Sequence, residues 1–344
     1  MKTTIKDIAN IANVSPTAVS MVINKRKGVG KETRSKILKI AEELNYIPNA
    51  AARSLIKKQS RTIGLIITDI ADPFYPELAK SIVDKANACG YNIILCHTGG
   101  NVDSERRSVI SLMSHGVDGI IFSSVLCDDP NLDILLEAGF PFVLVNRMPI
   151  NHPEESKFDY VIVDNYRGGF MAIEHLYRMG HENIAILAGL TQASTLKFRA
   201  DGAVDALKHY GIKFNKRYFS QCEYSVEKVF KATQKIMACR TRPTALFIWT
   251  DTMALPARDA VESLGMKVPE DVAIVGFDNI DVSGIKGIEL TTISQKKYDM
   301  GTHATEILVN KIEEKTPGMV NKIVLNAELV VRKTCGYSVS GYVR

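Results

Sequence analysis

Residues 4–24 read Thr-Ile-Lys-Asp-Ile-Ala-Asn-Ile-Ala-Asn-Val-Ser-Pro-Thr-Ala-Val-Ser-Met-Val-Ile-Asn. Ile5, Ile8, Ala9 and Ala12 recur at helical spacing and predict a first short helix. Asn13-Val14-Ser15 interrupts it. Ser15 is a good N-cap and Pro16 suits the first helical position, so a second helix begins there. Val19, Val22 and Ile23 supply its buried face. Asn24 to Gly30 is a basic, glycine-containing loop. A third helix follows from about Lys31 to Leu44, with Ile37, Leu38, Ala41 and Leu44 as its stripe. Two short helices joined by a tight turn and braced by a third are the parts of a helix-turn-helix.

Charge extends that reading outward. Residues 1–61 hold nine Lys and four Arg against Asp7, Glu32, Glu42 and Glu43, a net +9, whereas the remainder of the 344 residues is net −4. A basic segment on a mildly acidic body is a footprint for a polyanion. Charge alone also fits a solvated tail, and three short helices alone also fit a protein-binding module. The polar face of the second helix favours DNA. Its N-terminal end would enter the major groove, turning Pro16, Thr17, Ser20 and Met21 toward the bases. Phosphate contacts are expected from the helix start at Ser15 and from Thr4, Asn24, Lys25 and Arg26. Tyr46-Ile47-Pro48-Asn49 ends the third helix. Ala50–Leu55 is too short for a stable isolated helix, which needs about 12–15 residues. It is either a linker or a segment that folds only on DNA, with Leu55 wedged into the minor groove.

Residues 3–64 closely resemble the lactose-repressor (LacI/GalR) family. The motifs are Thr-Ile-Lys-Asp-Ile-Ala, Val-Ser-Pro-Thr-Ala-Val-Ser-Met-Val-Ile-Asn, Ala-Ala-Arg-Ser-Leu and Thr-Ile-Gly. The resemblance implies a homodimer whose two headpieces read a palindromic double-stranded DNA operator. It implies that residues 49–56 form a hinge helix pairing with its twin, so Asn49, Ala52 and Leu55 join the DNA-binding set, Leu55 at the central base step. Two positions depart from the family: Met21 stands where many members carry Arg or His, and Gly30 where a Ser often caps the third helix.

From Arg61 onward, apolar runs alternate with helical stretches. Ile63–Ile67, Asn92–Cys96, Gly119–Phe122, Phe142–Val145 and Tyr160–Val163 read as strands, with helices at Tyr75–Gly90, Ser104–Gly116 and Leu132–Gly139. The rhythm restarts with strands near Ile184–Leu187, Ala245–Ile248 and Val272–Val275. Helices are expected near Gly168–Met179, Phe198–Tyr210, Val226–Ala238 and Thr252–Leu264. Such alternation means βαβ units on parallel sheets, enough for two doubly wound lobes. Ligands then bind beyond the carboxyl ends of the strands. The polar residues found there are Asp69, Asp72 to Tyr75, Asn146, Arg147, Asp164, the stretch from Gly189 to Arg199, Tyr224, Thr250, Asp251, Asp278 and Asn279. Each alone is more often a cap or an ion pair than a ligand contact; their convergence on one crevice is what argues for a site. Trp249, the single tryptophan, either packs in the core or lines the cleft.

The body also resembles this family, and beyond it the periplasmic sugar-binding fold. Matching stretches include Asp72-Pro-Phe-Tyr75, Gly116-Val-Asp-Gly-Ile-Ile121, Val145-Asn-Arg147, His175-Leu-Tyr-Arg-Met-Gly-His181, Thr250-Asp-Thr-Met-Ala254, Val268 through Asp278, and Leu290-Thr-Thr-Ile293. By motif position the resemblance implies Phe74 and Tyr75 as aromatic effector contacts, with Asp72 in the same motif. Arg147, Arg199, Asp251 and Asp278 carry over as polar clamps, and Thr195, Tyr224 and Thr250 as weaker contacts. The expected organisation is an α-helical helix-turn-helix headpiece (1–48), a hinge and linker (49–60), and an α/β periplasmic-binding-protein-like core (61–344). The core is expected to be two doubly wound parallel-sheet lobes, one about 61–163 and 293–325, the other about 164–292 and 326–344. The resemblance puts crossings of the chain between the lobes near residues 163, 292 and 325.

Arg and Asp around aromatic rings fit a polyhydroxyl effector through charge-assisted hydrogen bonds. A sugar, sugar derivative or nucleoside satisfies this, and two Arg also suit a sugar phosphate. A corepressor-dependent response to a nucleobase or nucleoside is the alternative, and a sugar-binding protein without regulatory role the lesser one. Induction is preferred to corepression. An enzyme is not expected: Gly28-Val-Gly30-Lys31 lacks the rest of a phosphate loop, no G-x-S-x-G elbow occurs, and no dinucleotide fingerprint follows the first strand. The seven His and six scattered Cys show no metal spacing, so no cofactor or metal is expected. A signal peptide and any run of roughly 18 apolar residues are lacking, which predicts a cytoplasmic chain that does not meet the membrane. No leucine heptad follows Val330, so a dimer rather than a tetramer is expected.

Overall fold

The computed structural model describes residues 3–24, 26–46, 59–189 and 192–336. Lys25, Asn49, Ala52 and Leu55, expected to meet DNA, lie outside the described residues. The chain forms two compact units, Met1–Ser60 and Arg61–Arg344.

In the first unit, α1 (Ile5–Ala12), α2 (Pro16–Ile23) and α3 (Lys31–Glu43) enclose Ile8, Ala9, Ala12, Val19, Val22, Ile37, Ile40 and Ala41. Helices this short are unstable alone; caps and the shared core hold them. Thr4 and Asp7 form a capping box at α1, and the αL residue Asn13 ends it. The Ser15 hydroxyl accepts the Ala18 N–H at 3.2 Å, with Pro16 following. Gly30 starts α3 with no side-chain cap. The α3 stripe differs from expectation: Leu38 is 47% exposed and Ile40 is buried instead. At about 100° per residue, 37, 40, 41 and 44 share a face while 38 turns away.

In the second unit, one lobe is built from β1 (Thr62–Ile67), α4 (Phe74–Ala88), β2 (Asn92–His97), α5 (Val102–Ser114), β3 (Gly119–Phe122), α6 (Asn131–Glu137), β4 (Phe142–Val145) and β5 (Tyr160–Val163). The other follows with α7 (Asn165–Arg178), β6 (Ile184–Gly189), α8 (Ser194–His209), β7 (Phe219–Cys222), α9 (Val226–Met237), β8 (Ala245–Ile248), α10 (Asp251–Ser263), β9 (Ala273–Asp278) and β10 (Thr291–Ser294). The chain then forms α11 (Lys297–Ile312), β11 (Lys322–Leu325) and β12 (Glu328–Val330). The first sheet runs β11-β5-β4-β3-β1-β2 and is parallel throughout. The second runs β12-β10-β9-β8-β6-β7 and is parallel except for β10–β12. Every residue of β3, β4 and β8 is buried, because helices cover both faces of a parallel sheet. In each sheet the strand order reverses beside its first strand, which opens a crevice at the carboxyl ends.

The chain passes between the lobes three times. The first passage follows Val163. The second was expected near residue 292, but β10 belongs to the second sheet through Ser294, so the passage falls between Ser294 and α11. The latter packs on the first lobe, with Met300, Ala304 and Leu308 in its core. The third lies between Leu325 and Glu328. Where α7 crosses α8, Gly169 and Gly202 let the backbones touch. A Cβ would stand 2.2 Å from the Arg199 carbonyl oxygen at Gly169, and 2.0 Å from that of Tyr166 at Gly202. That close crossing fixes where Arg199 leaves its helix. Among the described residues no helix is long and apolar enough to cross a membrane.

Candidate functional site: an interlobe cleft and a headpiece face

A cleft of about 450 Å³ lies at the carboxyl ends of both sheets. From the first lobe, Thr68, Asp72, Phe74 and Tyr75 line it after β1, and Asn146 and Arg147 after β4. From the second come Thr195, Arg199, Tyr224, Thr250, Asp278 and Gln295.

On the first-lobe wall, Phe74 and Tyr75 meet edge to face with centroids 5.2 Å apart. Both are buried, and the Tyr75 hydroxyl donates to Thr68 Oγ1 at 2.9 Å. Asp72 turns back on the chain, its carboxylate accepting the Phe74 N–H at 3.0 Å. Burial raises its pKa, against the Phe74 N–H and Arg147, which lower it. Arg147 Nη1 reaches the Ser124 carbonyl at 3.4 Å, and its buried Nε finds no partner among the described residues. Asn146 holds φ +70°, and its Oδ1 is likewise buried and unpaired.

On the second-lobe wall, Arg199 is almost fully buried. Its Nε donates to Asn165 Oδ1 at 2.9 Å, its Nη1 to the Trp249 carbonyl at 2.5 Å, and its Nη2 pairs with Asp278 Oδ1 at 3.3 Å. The guanidinium lies 3.6 Å from the Phe277 ring centroid, a cation–π seat. A buried guanidinium needs this much compensation. Gln295 Nε2 also donates to Asp278, which leaves its buried Oε1 unpaired among the described residues. Burial pushes the Asp278 carboxyl up to about 7, Arg199 opposing and Asp251 and Asp72 adding.

Two expected contacts are corrected. Asp251 does not line the cleft. One of its oxygens accepts the Ile280 N–H at 3.0 Å and the Ser283 hydroxyl at 2.7 Å; the other accepts the Thr292 hydroxyl at 2.5 Å. It fastens the ends of β8, β9 and β10 together, and burial raises its pKa to about 6. The Trp249 ring also stays out of the cleft, in the second-lobe core with Phe219 at 6.4 Å. Its carbonyl alone serves the site, through Arg199. Thr250 lines the cleft while capping α10 through the Met253 N–H at 3.2 Å. Thr195 is buried at the start of α8, and Tyr224 stands on the rim, 56% exposed. Gln295, Asn165 and Thr252 were missed. Asn165 and Thr252 start helices, where Asn and Thr read as caps, and Gln295 follows a strand the sequence did not announce.

On the headpiece, Pro16 and Thr17 are exposed and Ser20 and Met21 half-buried, opposite Val19 and Val22. Asn24 Nδ2 donates to the Ser20 carbonyl at 2.9 Å and contacts its hydroxyl at 3.3 Å, so these two side chains are ordered together. The Thr4 hydroxyl donates to Asp7 at 2.7 Å. A Cβ at Gly28, φ +117°, would lie 2.9 Å from the Met21 methyl. The following loop therefore leaves room for Met21. Exposed Arg26 is held by its carbonyl, which accepts from Arg34 Nη2 at 2.5 Å.

The family model described as "Bacterial regulatory proteins, lacI family" matches residues 4–49. That described as "Periplasmic binding proteins and sugar binding domain of LacI family" matches residues 60–330. The HTH-type transcriptional repressor PurR of Photobacterium profundum is 35% identical over 336 residues, 96% of this chain and 98% of that protein. The protein of the same name from Vibrio vulnificus is 36% identical over 335 residues, again 96% and 98%. Among solved structures, the lac repressor dimer bound to operator and the anti-inducer ONPF is 27% identical with TM-score 0.86, covering 97% of this chain and 99% of that one. A transcriptional regulator CelR–cellobiose complex is 28% identical with TM-score 0.74, covering 97% and 100%. Headpiece and two-lobed body thus converge on one conclusion: the chain belongs to the LacI family of transcriptional repressors, which bind DNA operators as dimers under the control of a small-molecule effector.

Proposed function

We propose that the interlobe cleft takes a neutral polyhydroxyl effector, a sugar or sugar derivative, and that its binding releases the operator. Four buried polar atoms of the lining carry this reading: Asn146 Oδ1, Gln295 Oε1, Arg147 Nε and Thr252 Oγ1. Two only accept, one only donates and one does either. A hydroxyl-rich ligand donates and accepts at once, whereas a phosphate dianion only accepts. The lining charges agree. Arg199 and Asp278 engage each other and Glu223 pairs with Lys228, which leaves Asp69 and Asp72 against Arg147.

A nucleobase also donates and accepts, and the relatives named PurR favour that second reading, with the ligand acting as corepressor. The CelR–cellobiose neighbour favours the sugar. Asp72, Phe74, Tyr75, Arg147, Thr195, Arg199, Tyr224, Thr250 and Asp278 are the proposed effector contacts. Thr4, Ser15, Pro16, Thr17, Ser20, Met21, Asn24 and Arg26 are the proposed operator contacts, with Lys25, Asn49, Ala52 and Leu55 completing the set. The chain works in the cytoplasm, catalyses no reaction and needs no cofactor. A thermal-shift screen of neutral sugars, sugar phosphates, nucleobases and nucleosides tests the class. Stabilisation by a neutral sugar is expected; stabilisation by a nucleobase alone would replace the first reading with the second.

A further inference from the structure

Asp278 and Asn279 are both non-glycine residues at positive φ, +114° and +51°. For L residues this region is sparsely populated and persists only where surroundings enforce it. Their carbonyl groups converge on one cation: Lys297 Nζ donates to the Asp278 carbonyl at 2.7 Å and to the Asn279 carbonyl at 2.8 Å. The third ammonium proton faces Glu77 Oε2 at 3.0 Å. An ammonium has three donors and no acceptor, so this buried lysine is fully satisfied. Its residue is 3% exposed.

The partners belong to different lobes. Asp278 ends β9 of the second sheet and Asn279 follows it. Glu77 lies on α4, one turn after Phe74, and α11 itself packs into the first-lobe core. One ammonium therefore joins the helix that carries the aromatic wall to the turn that presents the Asp278 carboxylate. We propose that Lys297 is a positioning residue of the effector site, a cross-lobe latch that fixes Asp278 relative to Phe74 and Tyr75. That the latched groups serve an effector rests on the reading above; the latch itself does not.

Hydrogen exchange of the full-length, ligand-free chain separates the two. Ile280 N–H donates to Asp251 and Asn279 N–H to the Thr292 hydroxyl, so amides of this second-lobe turn report its order. Lys297→Met is expected to speed their exchange about tenfold, as two buried carbonyls lose their donor. The decisive variant is Glu77→Ala, at a half-exposed position of the first lobe. It is expected to speed the same second-lobe amides about threefold, with Glu77→Gln, which keeps an oxygen acceptor, in between. Peptides of α9, in the second lobe but away from the latch, remain at wild-type rates. Unchanged exchange over Asp278–Ile280 in Glu77→Ala would overturn the proposal, because Lys297 would then only brace its own turn. No effector enters this experiment, so it fails or holds independently of the ligand class.

Discussion

Asp251 and Asp278 both follow apolar strands and both are buried carboxylates, yet only Asp278 meets the cleft. Residue type and position after a strand were legible in the sequence. Which way the side chain points was not, because that depends on Ile280, Ser283 and Thr292, far from Asp251 along the chain. Asp251→Asn turns an N–H₂ toward groups that already donate. It is expected to destabilise the folded chain by about 2 kcal/mol, read as a lowered urea midpoint. Ligand affinity of the folded protein should stay within about twofold, whereas a large loss of affinity at unchanged stability would return Asp251 to the cleft. Tyr224→Ala is the converse. The side chain is exposed on the rim, so stability should hold within about 0.5 kcal/mol, while calorimetry shows weaker ligand binding.

At the scale of elements, the sequence showed the runs that are apolar along their whole length, such as β3, β4 and β8. It did not show β7, β11 or β12, which are half-exposed, or β10, which is buried but reads Thr-Thr-Ile-Ser. It also missed α11, whose buried face mixes Gly301, Ala304 and Thr305 with its larger apolar residues and so blurs the stripe. Arg199 was legible by motif position; the close α7–α8 crossing at Gly169 and Gly202 that seats it was not. Gly202→Ala should push these helices apart and cost about 2–3 kcal/mol, and a near-neutral urea midpoint would contradict that packing. A second element-scale device lies after β3. Glu105 on α5 is buried with Asp129, accepting from Asn131 Nδ2 at 2.9 Å and from the Ser124 hydroxyl. Burial first, then Asp129, raises its pKa to about 7. The folded state thus holds a proton that the unfolded state releases near the ordinary carboxylate range. That contribution to stability is full at low pH and is lost as pH rises through about 7. The melting temperature should fall from about pH 5 to pH 8, and Glu105→Gln should flatten that part of the profile. An unchanged profile would show that Glu105 is not the titrating group.

For the whole molecule, the division into headpiece and body was readable from charge and from the restart of the strand–helix rhythm. The three passages between lobes were readable only to within a few residues, because the sheet to which β10 belongs is decided by pairing with β9. Three passages of chain join the two lobes, and a ligand in the cleft between them changes operator affinity only through differential affinity for the states of the body. Solution mass should correspond to a dimer, and a tetrameric mass would contradict that expectation. The most direct test of the central claim is operator binding by fluorescence anisotropy, with and without the sugar that stabilises the wild type. Wild type and Arg199→Ala are compared on one palindromic duplex. The ligand is expected to weaken wild-type binding about tenfold or more, while Arg199→Ala binds the duplex normally and ignores the ligand. Equal ligand effects on both proteins, or none on the wild type, would contradict the account.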